Sequence, residues 1–139
     1  MRKNCFLLLA SLVGAVLISG CVSTVDGRRE AGVPFIRDKV EGRYERPPMD
    51  VWAAAKDVLA FNGTLYSEDT LRNTLEASVD SKTVWVKVEA MDPKITRVTV
   101  QVRAKGGGTD LALAGEIDKE IAVRLATGNL TPATRPQKK

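Results

Sequence analysis

The chain has 139 residues, with 21 lysines and arginines against 17 aspartates and glutamates, two cysteines and no histidine. Without histidine it lacks the usual general base, the Cys–His and Ser–His nucleophile pairs and the commonest zinc ligand. Carboxylates, lysine, tyrosine and serine are what remains for catalysis, so a non-enzymatic role is the first expectation and no cofactor or metal is expected.

Arg2 and Lys3 give the chain a positive start, and Phe6 to Ile18 is almost wholly apolar before small residues follow. That is the layout of a secretory signal, and the 13 residues from 6 to 18 are too few to span a bilayer as a helix. An ordinary signal ends in an A-x-A-like site, whereas here Leu17-Ile18-Ser19-Gly20 meets Cys21. This stretch resembles the lipobox of bacterial lipoproteins. The resemblance implies cleavage after Gly20, a diacylglycerol on the Cys21 thiol and a fatty acyl chain on its freed amine. A plain signal peptide with a chance cysteine, or a short uncleaved anchor, are the competing readings. Each buried methylene contributes about 0.8 kcal/mol, so three chains would hold a protein to its membrane far beyond reversible binding. Val22 follows the cysteine, in place of the aspartate that keeps many enterobacterial lipoproteins at the inner membrane. The outer membrane, facing the periplasm, is therefore the expected location.

Removing residues 1–20 leaves 119, enough for one domain with a modest core. Two of the basic residues leave with that segment, so the remaining charge falls from +4 to +2. No basic cluster is left to argue for nucleic acid. Cys5 also leaves and Cys21 is modified, so the domain would carry neither free thiol nor disulfide.

Residues 21–38 mix Ser, Thr, Gly, Pro and charges without a period, which predicts a flexible tether. A domain over 39–127 follows. Lys39 to Glu45 alternates as a first strand with Val40 and Tyr44 on one face, and Arg46-Pro47-Pro48 ends it. Pro48 suits a first helical position and Asp50 a first turn, and Val51, Trp52, Ala55, Val58 and Leu59 repeat at helical spacing. The helix is expected over 48–61, with Asn62-Gly63 as a left-handed stop.

After a short candidate strand at 64–67, three stretches alternate clearly: Leu75-Ala77-Val79, Val84-Val86-Val88-Ala90 and Val98-Val100-Val102. One apolar and one polar face per strand predicts an antiparallel sheet covered on one side. A turn at Ser81-Lys82 sets Val79 opposite Val84, Ala77 opposite Val86 and Leu75 opposite Val88, placing Glu76 beside Lys87. A turn around Asp92-Pro93-Lys94 sets Val98, Val100 and Val102 opposite Val88, Val86 and Val84, with Glu89 beside Arg97 and Trp85 between Ser78 and Gln101. Gly106-Gly107-Gly108 breaks the last strand, and Thr109 or Asp110 can cap a second helix bearing Leu113, Ile117, Ile121 and Leu125. Gly128 ends it, and residues 128–139 read as a disordered tail. The expected fold is α+β: one antiparallel sheet of four to five strands with two helices on its valine face, in the order β-α-β-β-β-α with a possible short extra strand.

Arg46 to Ala55, the hairpin from Val84 to Val102, and Arg103 running through glycines into the Ile117, Ile121, Leu125 helix carry a second resemblance. With the lipobox they are similar to a family of short Gram-negative lipoproteins grouped as domain of unknown function 3568. The resemblance spans about residues 40–126 and implies location and fold, with no activity attached.

Two candidate sites emerge from the residues. Trp85 falls on the polar face of the predicted sheet with Lys87, Gln101 and Arg103 around it, a composition typical of binding surfaces. Such a surface would meet an envelope protein partner; cover by the tether, the tail or a further strand is the alternative. Gly107, Gly108 and Thr109 open the second helix and could offer backbone N–H groups to an anion, although a turn with unusual dihedrals explains the glycines as well. Tyr44 and Trp52 read as core, and Glu68-Asp69 and Glu116 with Glu120 as solvated surface. Two functions stay open: an accessory module that binds an envelope protein, and a binder of a small or polymeric ligand such as peptidoglycan or lipid. The second requires a cavity of a few hundred Å³.

Overall fold

The computed structural model describes residues 20–32 and 37–128. The apolar leader and the segment beyond residue 128 lie outside them. Among the described residues, seven strands and two helices follow in the order β1 (Gly20–Ser23), β2 (Arg29–Gly32), β3 (Lys39–Tyr44), α1 (Pro48–Asn62), β4 (Thr64–Asp69), β5 (Thr74–Val79), β6 (Lys82–Asp92), β7 (Ile95–Ala104) and α2 (Leu111–Thr127).

β3 to β7 form one antiparallel sheet in the spatial order β3-β7-β6-β5-β4. β3 and β4 are its two edges, and α1 carries the chain from one to the other. Leu75, Ala77, Val84, Val86, Val88, Val98, Val100 and Val102 are buried on one face, as alternation requires. Against them pack Val51, Ala54, Ala55, Val58 and Leu59 of α1 and Ala114, Ile117 and Ile121 of α2. This is the expected α+β layout, with the strand at 64–69 completing a five-stranded sheet.

Both helices begin and end for identifiable reasons. Pro48 occupies the first turn of α1, where its missing N–H is not needed. Gly63 stops that helix, but not in the left-handed conformation expected from sequence: its φ is −163°. A Cβ there would lie 2.0 Å from the Ser78 carbonyl oxygen, so glycine is required by the close approach of β5. Asp110 caps α2, its side chain accepting a hydrogen bond from the Leu113 amide, and Gly128 closes it at φ +62°.

The β6–β7 register is the predicted one, with Val84, Val86 and Val88 opposite Val102, Val100 and Val98. The β5–β6 register is displaced by two residues: Val79 faces Lys82, Ala77 faces Val84 and Leu75 faces Val86. The turn is Asp80-Ser81, and both residues have positive φ (48° and 64°), as the tightest two-residue hairpins demand. Because side chains alternate with period two, this displacement leaves the valine face intact. It does change the polar neighbours, setting Glu76 opposite Trp85 and Thr74 opposite Lys87.

The segment read as a flexible tether contains a hairpin. β1 and β2 pair antiparallel, from Gly20 opposite Gly32 to Ser23 opposite Arg29. Its turn is tied by the Thr24 amide to the Arg28 carbonyl (2.9 Å), the Thr24 hydroxyl to the same carbonyl (2.9 Å) and the Arg28 amide to Asp26 (3.2 Å). Strands of four residues are too short to show a period, and these bonds to the backbone stand in for it.

Candidate functional site

The face of the sheet away from the helices is polar but not open. Trp85 is 3% exposed, Gln101 0% and Arg103 3%, which overturns the expectation of an exposed binding surface at these positions. Asp38, just before β3, lies against them: its carboxylate accepts from the Arg103 guanidinium at 2.7 Å and from the Gln101 side-chain amide. The β1–β2 turn lies on the same face, where the Val25 amide donates to Gln101 Oε1 at 2.8 Å. Arg72, in the β4–β5 turn, donates to the Asp26 carbonyl at 2.9 Å and ties the hairpin down a second time. Gln101 and Arg103 are polar because the chain that covers them brings backbone and carboxylate groups, and a buried polar group needs such partners.

Lys87 is elsewhere engaged. Its ammonium lies 2.8 Å from Glu89, which also meets Arg97 across the strand pair at 3.2 Å. The hydrogen bond from Lys87, with the positive charges of Lys87 and Arg97, holds the Glu89 carboxyl below its ordinary range. Of the four residues grouped from sequence, the structure brings Trp85 and Arg103 together around one recess. Gln101 is sealed under the hairpin, and Lys87 belongs to an ion-pair row.

That recess has a volume of about 560 Å³ and is lined by Thr83, Trp85, Arg103, Ala104, Lys105, Gly106 and Gly107. The indole Nε1 of Trp85 is buried and has no hydrogen-bond partner among the described residues. An indole N–H can only donate, and leaving a buried donor unpaired costs about 1–3 kcal/mol. Lys105 is exposed at the rim, with no ion pair to an acid among the described residues. Sequence reasoning missed Lys105 because it stands at the frayed end of an alternating strand, where a lysine ordinarily signals solvent.

The glycine loop is arranged differently from the anion cradle considered from sequence. Gly107 has φ +83°, and its amide donates to the Ala104 carbonyl at 2.8 Å, while the Ala104 amide donates to Gly108. Thr109 bridges to Arg103. The start of α2 already has its anion, because Asp110 accepts from Leu113 at 3.0 Å and from Lys82 at 2.7 Å. The hydrogen bond from the Leu113 amide, followed by Lys82, lowers the Asp110 carboxyl from its usual value. Gly107 borders the Trp85 recess; Gly108 and Thr109 are not part of its lining.

The carboxylates considered as acid pairs are dispersed. Glu68 meets Lys56 at 2.7 Å on the exposed surface, and the partly exposed Asp69 meets Arg72 at 3.8 Å. Glu120 accepts from Asn62, and Glu116 and Glu120 border a separate groove between the helices with Phe61, Val123 and Arg124. Tyr44 and Trp52 are half-buried and pack on the core.

The fold and its covered polar face define a small α+β domain: a five-stranded antiparallel sheet with two helices on one side and a short hairpin on the other. The family model described as protein of unknown function (DUF3568) matches residues 3–124, and the chain belongs to that family. No functionally curated protein matches it. Among solved structures, it is similar to the di-domain ARO/CYC StfQ from the steffimycin biosynthetic pathway, at 12% identity and a TM-score of 0.44, over 65% of this chain and 44% of that one. A likeness of that degree carries no argument about activity.

Proposed function

We propose that the protein is a lipid-anchored envelope protein with a non-enzymatic binding or accessory role, held through Cys21 at the periplasmic face of the outer membrane. The observation that carries this reading is the apolar run closing in Leu17-Ile18-Ser19-Gly20-Cys21. The family match begins at residue 3, so it runs through that whole segment and into the folded domain. The hairpin that starts at Gly20 bonds to Gln101, and its turn to Arg72, which would hold the domain close to an acylated Cys21 instead of at the end of a long leash.

The test is fractionation of cells expressing the native chain and Cys21→Ser. The native protein is expected in the outer-membrane fraction and the variant in the periplasm or uncleaved. Equal membrane retention of both would refute the anchor. For the accessory role, a photoreactive residue at Leu71, which is 95% exposed, should crosslink one defined envelope protein in cells.

The second reading, a binder of a small or polymeric envelope ligand, is favoured by one observation: the recess beside the unpaired Trp85 indole. Its volume lies within the range of small-molecule sites.

A further inference from the structure

We propose that the recess beside Trp85 and Lys105 binds an oxyanion, a carboxylate or phosphate group carried by a small ligand. This rests on the ligand-binding reading above and names its chemistry.

Three features of the recess point the same way. The first is Trp85, which lines the cavity and whose buried indole N–H has no acceptor among the described residues. A donor held in a fixed, nearly dry position and lacking a partner calls for an acceptor from outside. The second is charge. Lys105 and Arg103 line the recess, and among the described residues no aspartate or glutamate does. The acids closest in the network are committed: Asp38 to Arg103 and Gln101, Asp110 to Lys82 and the start of α2. The third is access. Gly106 and Gly107 form one wall, and a Cβ built on Gly106 would meet nothing within 4 Å, so a ligand can reach the backbone there. The Thr83 hydroxyl, which can donate as well as accept, lines the remaining side.

A lining made of an N–H, an ammonium, a guanidinium and a hydroxyl matches the oxygens of a carboxylate or phosphate. Bonds from charged donors to such oxygens are the strong ones. Arg103 is set by Asp38 and so presents a fixed wall, whereas Lys105 is free to close over the group that enters. A neutral sugar hydroxyl would satisfy the indole but would leave Lys105 without a role.

The experiment uses the full-length protein purified in detergent and labelled with 15N in its two tryptophans. Inorganic phosphate and acetate are titrated in turn against chloride at matched ionic strength, with the two indole N–H resonances observed by NMR. The Trp85 resonance should move and saturate with at least one of them, while Trp52, which borders a different cavity with Pro48 and Val88, stays still. Which anion saturates first distinguishes a phosphate from a carboxylate ligand. Lys105→Ala should weaken the effect about tenfold, the loss of one charge-assisted hydrogen bond, and Lys94→Ala should not. Lys105 and Lys94 are both exposed, so neither change threatens folding. No saturable movement of Trp85 with either anion, drift of both indoles together, or unchanged binding in Lys105→Ala would each overturn the proposal. None of these results bears on the Cys21 anchor, which is read by fractionation.

Discussion

The Tyr44 hydroxyl donates to the Asp118 carboxylate at 2.6 Å and lies 2.9 Å from the carbonyl of the same residue, joining the edge strand β3 to the middle of α2. The contact is possible because residue 42 is glycine: a Cβ there would come within 2.5 Å of the Asp118 carboxylate. Burial, then the hydrogen bond and negative charge of Asp118, push the Tyr44 phenol well above its usual value of 10. Tyr44→Phe should therefore lower stability by about 1–2 kcal/mol, since it strands a half-buried acceptor. Gly42→Ala should cost a similar amount by displacing the same carboxylate. Because both act on Asp118, the double variant should fall short of the sum, which urea midpoints of the four proteins will show.

The same contact predicts a pH profile. A phenol raised in the folded state stabilises fully below pH 10 and loses that contribution as the pH climbs above it, because the unfolded chain then releases a proton that the folded one keeps. Glu89 and Asp110 act in the opposite direction. Their lowered values contribute stability above their ordinary values of 4.5 and 3.8, and that contribution is lost as the pH falls through the still lower folded values. Urea midpoints should thus be flat near neutrality, fall below about pH 4 and fall again above about pH 10. Tyr44→Phe should reduce the alkaline fall, leaving the share of Lys82, whose ammonium is held above its usual value by its hydrogen bond to Asp110, and should leave the acid limb in place.

Trp85 behaves as core in this structure, so Trp85→Ala should cost about 3–5 kcal/mol, as large-to-small changes of buried aromatics do. Asp38→Ala should cost about 3 kcal/mol by removing the carboxylate that faces the buried Arg103 guanidinium. It should also loosen the cover over the polar face, shifting the fluorescence of Trp85 to the red in a Trp52→Phe background. An unshifted spectrum would mean that Asp38 does not help to shield the indole.

Gly63→Ala tests how α1 is stopped. The added methyl would press on the Ser78 carbonyl at 2.0 Å, and backbone cannot yield as a side chain can. A loss of about 3 kcal/mol is expected, at the upper end for overpacking. A left-handed cap would give a smaller loss, about that of a strained φ alone.

The helices, four of the five strands and the valine face were legible because period-2 and period-3.6 patterns report burial directly, as at Val84-Val86-Val88 and Ile117-Ile121, whereas β4 does not alternate and was only a candidate over 64–67. The β5–β6 register was less so. Both Ser81-Lys82 and Asp80-Ser81 keep the valines inward, and only the positive φ of Asp80 and Ser81 separates them. The second face was the larger failure of pattern reading. Gln101 and Arg103 alternate with valines just as solvated residues do, and nothing local to β7 reveals that Asp38 and Val25, more than sixty residues earlier, complete their hydrogen bonds. Lys105 and the recess became visible only once the register had set Trp85, Thr83 and Arg103 side by side.

The proposed function turns on lipidation of Cys21, which would fix where this domain works and what it can meet there. The most direct test is the intact mass of the protein extracted from membranes, with fragmentation of its N-terminal peptide. The expected product starts at Cys21 and carries a diacylglycerol together with an amide-linked fatty acid. A mature chain that begins at any other residue, or a Cys21 without lipid, would contradict the account.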